Sequence, residues 1–120
     1  MRKIFLVEDD QAIREVLEMF LTSENYDVES FSTVNAFMRR NINVTPDLYI
    51  FDVMLPDGSG IDLCAEIKND VENKEVPVII MSAHATLDHI CQSCQPHDFI
   101  PKPFDIENLL LKVQEIIENK

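Results

Sequence analysis

The chain has 120 residues, 46% of them apolar and 27% charged, which suits one domain over 1–120 with a core of its own. Twenty-two acids against ten lysines and arginines leave a net charge of −12. A chain this acidic is repelled by nucleic acid and anionic membranes, so direct binding of either is excluded as its activity.

The apolar run Ile4–Val7 is stopped by Glu8-Asp9-Asp10, too soon for a signal-peptide core or a membrane span. Three cysteines without a signal favour a reduced, cytoplasmic setting. Ile4–Val7 instead reads as a buried strand ending in acids. From Gln11 the period changes: Ile13, Val16, Leu17, Phe20 and Leu21 form one helical stripe, with Asp9 and Asp10 placed to cap it. Val28–Phe31 reads as a short strand. Ser32 or Thr33 then caps a helix carrying Val34, Phe37 and Met38.

Leu48–Phe51 is a second unbroken apolar run, and it leads straight into Asp52. Both glycines of the chain follow within a few residues, and with Pro56 they are expected to turn the backbone sharply past that acid. Ile61, Leu63, Cys64 and Ile67 suit an amphipathic helix that fades in Asn69–Glu75. Val76–Met81 is a fourth strand with Pro77 near its start, followed at once by Ser82. A short helix is expected between His84 and Gln95, stopped by Pro96. Phe99-Ile100 is a fifth strand and Pro101-Lys102-Pro103 a stiff turn. Asp105 caps a last helix striped by Ile106, Leu109, Leu110, Val113, Ile116 and Ile117.

Strand and helix thus alternate five times, which predicts an α/β fold with a doubly wound, five-stranded parallel sheet in the flavodoxin-like order 2-1-3-4-5. That order gathers Glu8, Asp9, Asp52, Ser82 and Lys102 at one carboxyl edge. Three carboxylates so close repel unless a cation joins them, and oxygen ligands of this kind suit Mg²⁺. Lys102 adds a mobile positive charge and Ser82 a hydroxyl donor, a set prepared for a phosphoryl group beside a metal.

Val7-Glu8-Asp9, Phe51-Asp52-Val53-Met54-Leu55-Pro56 with Asp57-Gly58-Ser59-Gly60, Met81-Ser82-Ala83 and Lys102-Pro103-Phe104 stand in order at strand ends. In these motifs the chain resembles the receiver domain of two-component response regulators, over essentially its whole length. The resemblance implies a phosphorelay switch in which Asp52 accepts a phosphoryl group from a sensor histidine kinase or a histidine phosphotransfer protein. It implies that Glu8, Asp9, Asp52 and the backbone carbonyl of Met54 hold Mg²⁺, and that Ser82 and Lys102 contact the phosphoryl oxygens. Phe99, coupled to Ser82, would report the event to an output face made of the fourth helix, fifth strand and fifth helix. Such a chain promotes only its own phosphorylation and hydrolysis and is not an enzyme of external metabolites. Homodimerisation through the output face is compatible with it. So is a place at the front of a transcriptional regulator.

Two departures stand out. The stretch from Ser82 to Lys102 is shorter than in typical receivers, and Gln95-Pro96 replaces the usual Gly-Ala, so a short or irregular fourth helix is expected. Cys91 and Cys94, with His84, His89 and His97 nearby, form a C-x-x-C that reads more simply as two cysteines on a helix than as a zinc or redox site. Two other functions compete. A phosphatase of the haloacid-dehalogenase type also uses a strand-end Asp, but it wants a second acid where Met54 stands. A degenerate receiver would act as a constitutive binding module.

Overall fold

The computed structural model describes residues 2–82, 98–102 and 104–118. The expected fourth helix and its shortening, the three histidines, Cys91, Cys94 and Pro103 lie outside them.

Among the described residues, five parallel strands form one sheet: β1 (Lys3–Val7), β2 (Asp27–Phe31), β3 (Leu48–Asp52), β4 (Val78–Ser82) and β5 (Asp98–Pro101). Their order is β2-β1-β3-β4-β5, as the alternation predicts. The central strands β3 and β4 are buried at every position, and the edge strands β2 and β5 only in part. That is why β3 and β4 read as unbroken apolar runs.

Each central strand feeds two cores because successive side chains point to opposite faces. Phe5, Val7, Tyr49, Phe51, Val78 and Ile80 pack with Phe37 of α2 (Val34–Met38) and Ile61, Leu63, Cys64 and Ile67 of α3 (Gly60–Asn69). Ile4, Leu6, Leu48, Ile50, Ile79 and Met81 pack on the other side. Their partners are Leu17 and Leu21 of α1 (Gln11–Ser23), and Leu109, Val113, Ile116 and Ile117 of the helix Ile106–Glu118. The first core is held by rings: Phe5, Phe31, Phe37 and Tyr49 meet edge to face at centroid distances of 5.5–5.9 Å.

Caps follow the sequence closely. The side chain of Asp10 accepts from the backbone N–H of Ile13, so Asp10 and not Asp9 caps α1. Thr33 accepts from the N–H of Ala36, Ser59 from that of Ile61, and Asp105 from that of Glu107. Val16 and Met38, assigned to apolar stripes, lie at the stripe edges and are more than one-third exposed.

One boundary is corrected: Pro77 precedes β4 instead of lying within the fourth strand, and its carbonyl accepts from the N–H of Tyr49 at 3.0 Å. The sharp turn expected after Asp52 is present, with Pro56 and Asp57 reversing the chain between Met54–Leu55 and Gly58–Ser59, which pair antiparallel, and neither glycine adopts positive φ. Gly60 is needed for a different reason. A Cβ there would stand 2.1 Å from the backbone oxygen of Asp52, because the start of α3 crosses directly over the end of β3. Gly60→Ala should therefore push Asp52 out of place and destabilise the fold by about 1–3 kcal/mol, the usual cost of overpacking. A thermal melt of the variant against the parent measures it.

Candidate functional site

Right-handed crossovers put every loop that follows a strand at the same edge of the sheet. Glu8 and Asp9 follow β1, Asp52 ends β3, Ser82 ends β4, and Lys102 follows β5. Strand β3 lies between β1 and β4, so Asp52 sits at the centre. Glu8, Asp9, Asp52, Met54 and Lys102 line one open cleft of about 250 Å³ together with Asp10 and Ile13. Ser82 is buried at the end of β4, next in sequence to Met81, which pairs with Asp52. Its carbonyl accepts from the N–H of Lys102 at 2.9 Å, tying β4 to the lysine. Phe99 pairs with Ile80 and packs, half-buried, against the aromatic core.

The charges in the cleft are tightly constrained. Glu8 is fully buried and Asp52 is 4% exposed, whereas Asp9 is exposed. The ammonium of Lys102 lies 2.6 Å from Glu8 Oε1 and 3.3 Å from Asp52 Oδ2. The second oxygen of Glu8 accepts from the N–H of Asp10 at 3.1 Å. Burial nevertheless dominates and pushes the Glu8 carboxyl up to about 7, against the hydrogen bonds from Lys102 and Asp10. Burial also opposes the charge on Lys102, but its hydrogen bond to Glu8 and the charge of Asp52 outweigh it and raise the ammonium above its ordinary value.

One oxygen from each of Glu8, Asp9 and Asp52 lies within 4.8 Å of the others, so the three could hold a metal ion. The donor set is oxygen alone, in a cleft open enough for water to complete the coordination. This fits a hard divalent cation that keeps part of its hydration shell.

Three contacts escaped the sequence reading. Arg14, on α1, donates from Nη1 to the backbone carbonyl of Glu8 at 2.9 Å and approaches that of Asp9 at 3.5 Å. Asp57 reaches back from the ladder to accept from the N–H groups of Val34 and Asn35 at 2.8 and 2.9 Å, which holds its carboxyl below the usual range. It thereby fastens the loop after Asp52 to the start of α2. The buried hydroxyl of Tyr49 donates to Asn73 Oδ1 at 2.7 Å and anchors the connection before β4. Only Asp57, lying in a turn motif, gave a sequence signal; the others depend on tertiary placement.

Residues 4–114 match the family described as the response regulator receiver domain. The chain belongs to that family. It is 34% identical to the response regulator ArlR of Staphylococcus saprophyticus over 122 aligned positions, covering all of this chain and 54% of ArlR. It is 36% identical to the transcriptional regulatory protein CssR of Bacillus subtilis, covering 96% of this chain and 51% of CssR. The chain therefore spans about half the length of these curated relatives. Among solved structures, the non-phosphorylated HemR receiver domain from Leptospira biflexa superposes with a TM-score of 0.88 at 30% identity, covering 98% of this chain and 94% of that one. A receiver family favours the phosphorelay switch over the phosphatase alternative. The exposed Met54, standing where a dehalogenase-type enzyme needs its second acid, agrees. None of the described helices is long and apolar enough to cross a membrane.

The elevated Glu8 carboxyl makes stability depend on pH. Its folded value lies above the 4.5 of an ordinary glutamate, so its contribution is complete below about pH 4.5 and is lost as the pH rises through about 7. In chelator, the parent should lose on the order of 3 kcal/mol across that window relative to Glu8→Gln, which cannot ionise. Urea unfolding of the pair at several pH values tests this. Above pH 7 the variant should be the more stable of the two.

Proposed function

We propose that this chain is a phosphorylation-controlled signalling switch in which Asp52 is the phosphoacceptor. The observation that carries this reading is the convergence of Asp52, Glu8 and Asp9 within 4.8 Å beside the ammonium of Lys102. Glu8, Asp9, Asp52 and the backbone carbonyl of Met54 would hold Mg²⁺. When bound, the cation neutralises the carboxylates and the charge on the transferring phosphoryl oxygens.

In the reaction, a carboxylate oxygen of Asp52 forms a bond to phosphorus as the bond to the donor nitrogen breaks. The electron pair of that bond leaves with the donor imidazole, and Asp52 becomes an acyl phosphate. The donor is a phosphohistidine on a sensor kinase or phosphotransfer protein. Burial at the strand end shields the acyl phosphate from bulk water on the protein side, while the open cleft admits the donor. The ammonium of Lys102 already stands 3.3 Å from Asp52, so it can follow charge onto the phosphoryl oxygens with little movement. Ser82 supplies a hydroxyl donor to the same oxygens. Phosphorylation adds negative charge and strong acceptors, which draw Lys102 and Ser82 toward Asp52.

That pull has a route outward. Lys102 and Ser82 are joined by a backbone hydrogen bond between the ends of β4 and β5, and Phe99 lies in β5 three residues before the lysine. We infer that Phe99 repacks with Ser82 and that β5 and the helix Ile106–Glu118 form part of the output surface. The ion pair of Asp98 with Lys112, 3.1 Å apart, links these two elements. The chemistry ends with hydrolysis of the acyl phosphate on the chain itself, so no external metabolite is turned over.

Incubation with Mg²⁺ and acetyl phosphate tests the reading. Intact-mass analysis should show one added phosphoryl group on the parent and none on Asp52→Asn. Lys102→Met should fold but react roughly 10²-fold more slowly, the typical loss for one group stabilising transferred charge. Equal labelling of parent and Asp52→Asn would exclude Asp52 as acceptor. Continuous release of phosphate from many esters would favour a phosphatase.

A further inference from the structure

We propose that Arg14 is a positioning residue for the acid pair, holding the backbone carbonyls of Glu8 and Asp9 from behind so that their carboxylates face a divalent cation. This rests on reading the cleft as a Mg²⁺ and phosphoryl site.

Arg14 is the fourth residue of α1, and side chains on a helix lean toward its N-terminus. That direction returns the guanidinium to the loop the helix springs from. Its Nη1 donates to the carbonyl of Glu8 at 2.9 Å and lies 3.5 Å from that of Asp9. Arg14 is not among the residues lining the cleft, so it touches neither the proposed cation nor the phosphoryl group. Its influence runs through the backbone.

Helix electrostatics alone do not account for the placement. A cation one turn from a helix N-terminus meets the positive end of the macrodipole, which the N-cap acid Asp10, four residues before Arg14, offsets only in part. Arg14 is also off the apolar stripe of Ile13, Leu17 and Leu21, so core packing does not call for it. What it gains there is the two carbonyls of the ligand loop.

The rest of the loop is held by other means. The carboxylate of Glu8 is taken by Lys102 and the N–H of Asp10, its own N–H donates to the carbonyl of Phe31, and Asp10 caps the helix. Arg14 closes the remaining side, the carbonyl edge of Glu8-Asp9. Asp9 is the exposed member of the acid cluster, and ordering its backbone limits the directions its carboxylate can take. Partners of this outer kind typically alter metal affinity 10- to 100-fold when removed.

Positioning and bulk electrostatics predict opposite signs. Arg14 is a positive charge close to a cation site, so charge alone says that removing it tightens divalent binding. Positioning says that removing it weakens binding. Mn²⁺ binding followed by electron paramagnetic resonance, with Mg²⁺ titrated by calorimetry, reads the sign directly. Arg14→Gln should bind both ions about tenfold more weakly than the parent, and Arg14→Lys, which keeps a donor, should recover part of the loss. Unchanged or tighter binding by a folded Arg14→Gln would overturn the proposal while leaving the metal site intact. A parent that binds neither ion would instead remove the metal reading, and this inference with it. Should Arg14→Gln fail to fold, proton exchange of the Arg14 guanidinium in the unsubstituted protein decides. Protected Nη protons support the carbonyl contacts, and freely exchanging ones overturn them.

Discussion

Three carboxylates gathered at the ends of two buried strands are the constraint on which the rest of the structure turns. Glu8 and Asp52 are almost wholly removed from water, and one ammonium, that of Lys102, stands between them. Burying such charges is costly unless they are paired and hydrogen-bonded, and one lysine is shared between the two buried acids. The raised carboxyl of Glu8 records the deficit. A sheet optimised only for stability would place leucine or valine at these strand ends. The buried acids carry more negative charge than Lys102 offsets, and with Asp9 they form a cluster that could hold a metal ion.

The surrounding elements serve to keep this arrangement fixed. Gly60 lets α3 cross so close to Asp52 that no larger residue fits. Asp57 ties the loop after β3 to α2, and Arg14 ties the loop after β1 to α1. Lys102 is joined to β4 through the carbonyl of Ser82. Each strand-end loop is thus fastened to a neighbouring element, and the edge-to-face rings behind β3 resist distortion from below.

Most of the fold was legible in the sequence because both faces of the sheet are covered. A strand buried on two sides has to be apolar throughout, so Ile4–Val7, Leu48–Phe51 and Val76–Met81 announced themselves, the last starting two residues too early. The cap at Asp105 was readable, and those at Asp10 and Thr33 were readable as one of two neighbours each, since a cap depends on residues three apart or fewer; the cap at Ser59 was not expected. Glu8, Asp9, Asp52 and Lys102 stood out as polar residues ending apolar runs, and the sheet order then brought them together. The reason for Gly60 was not legible. A turn glycine and a close-approach glycine look alike until the distance to Asp52 is known. The reach of Asp57 to Val34, across 23 positions, and of Arg14 to two carbonyls also needed coordinates, because backbone acceptors leave no mark on side-chain pattern.

Of the three clustered acids, Asp52 is the proposed phosphoacceptor, the buried one at the centre of the cleft, 3.3 Å from the Lys102 ammonium. Borohydride reduction after reaction with a phosphoryl donor and Mg²⁺ tests it most directly, because an aspartyl phosphate is converted to homoserine and can be mapped by peptide sequencing. Homoserine at position 52 and nowhere else is the predicted result. Homoserine at position 9, reduction of Glu8, or a phosphoryl group retained on a serine or histidine would contradict it.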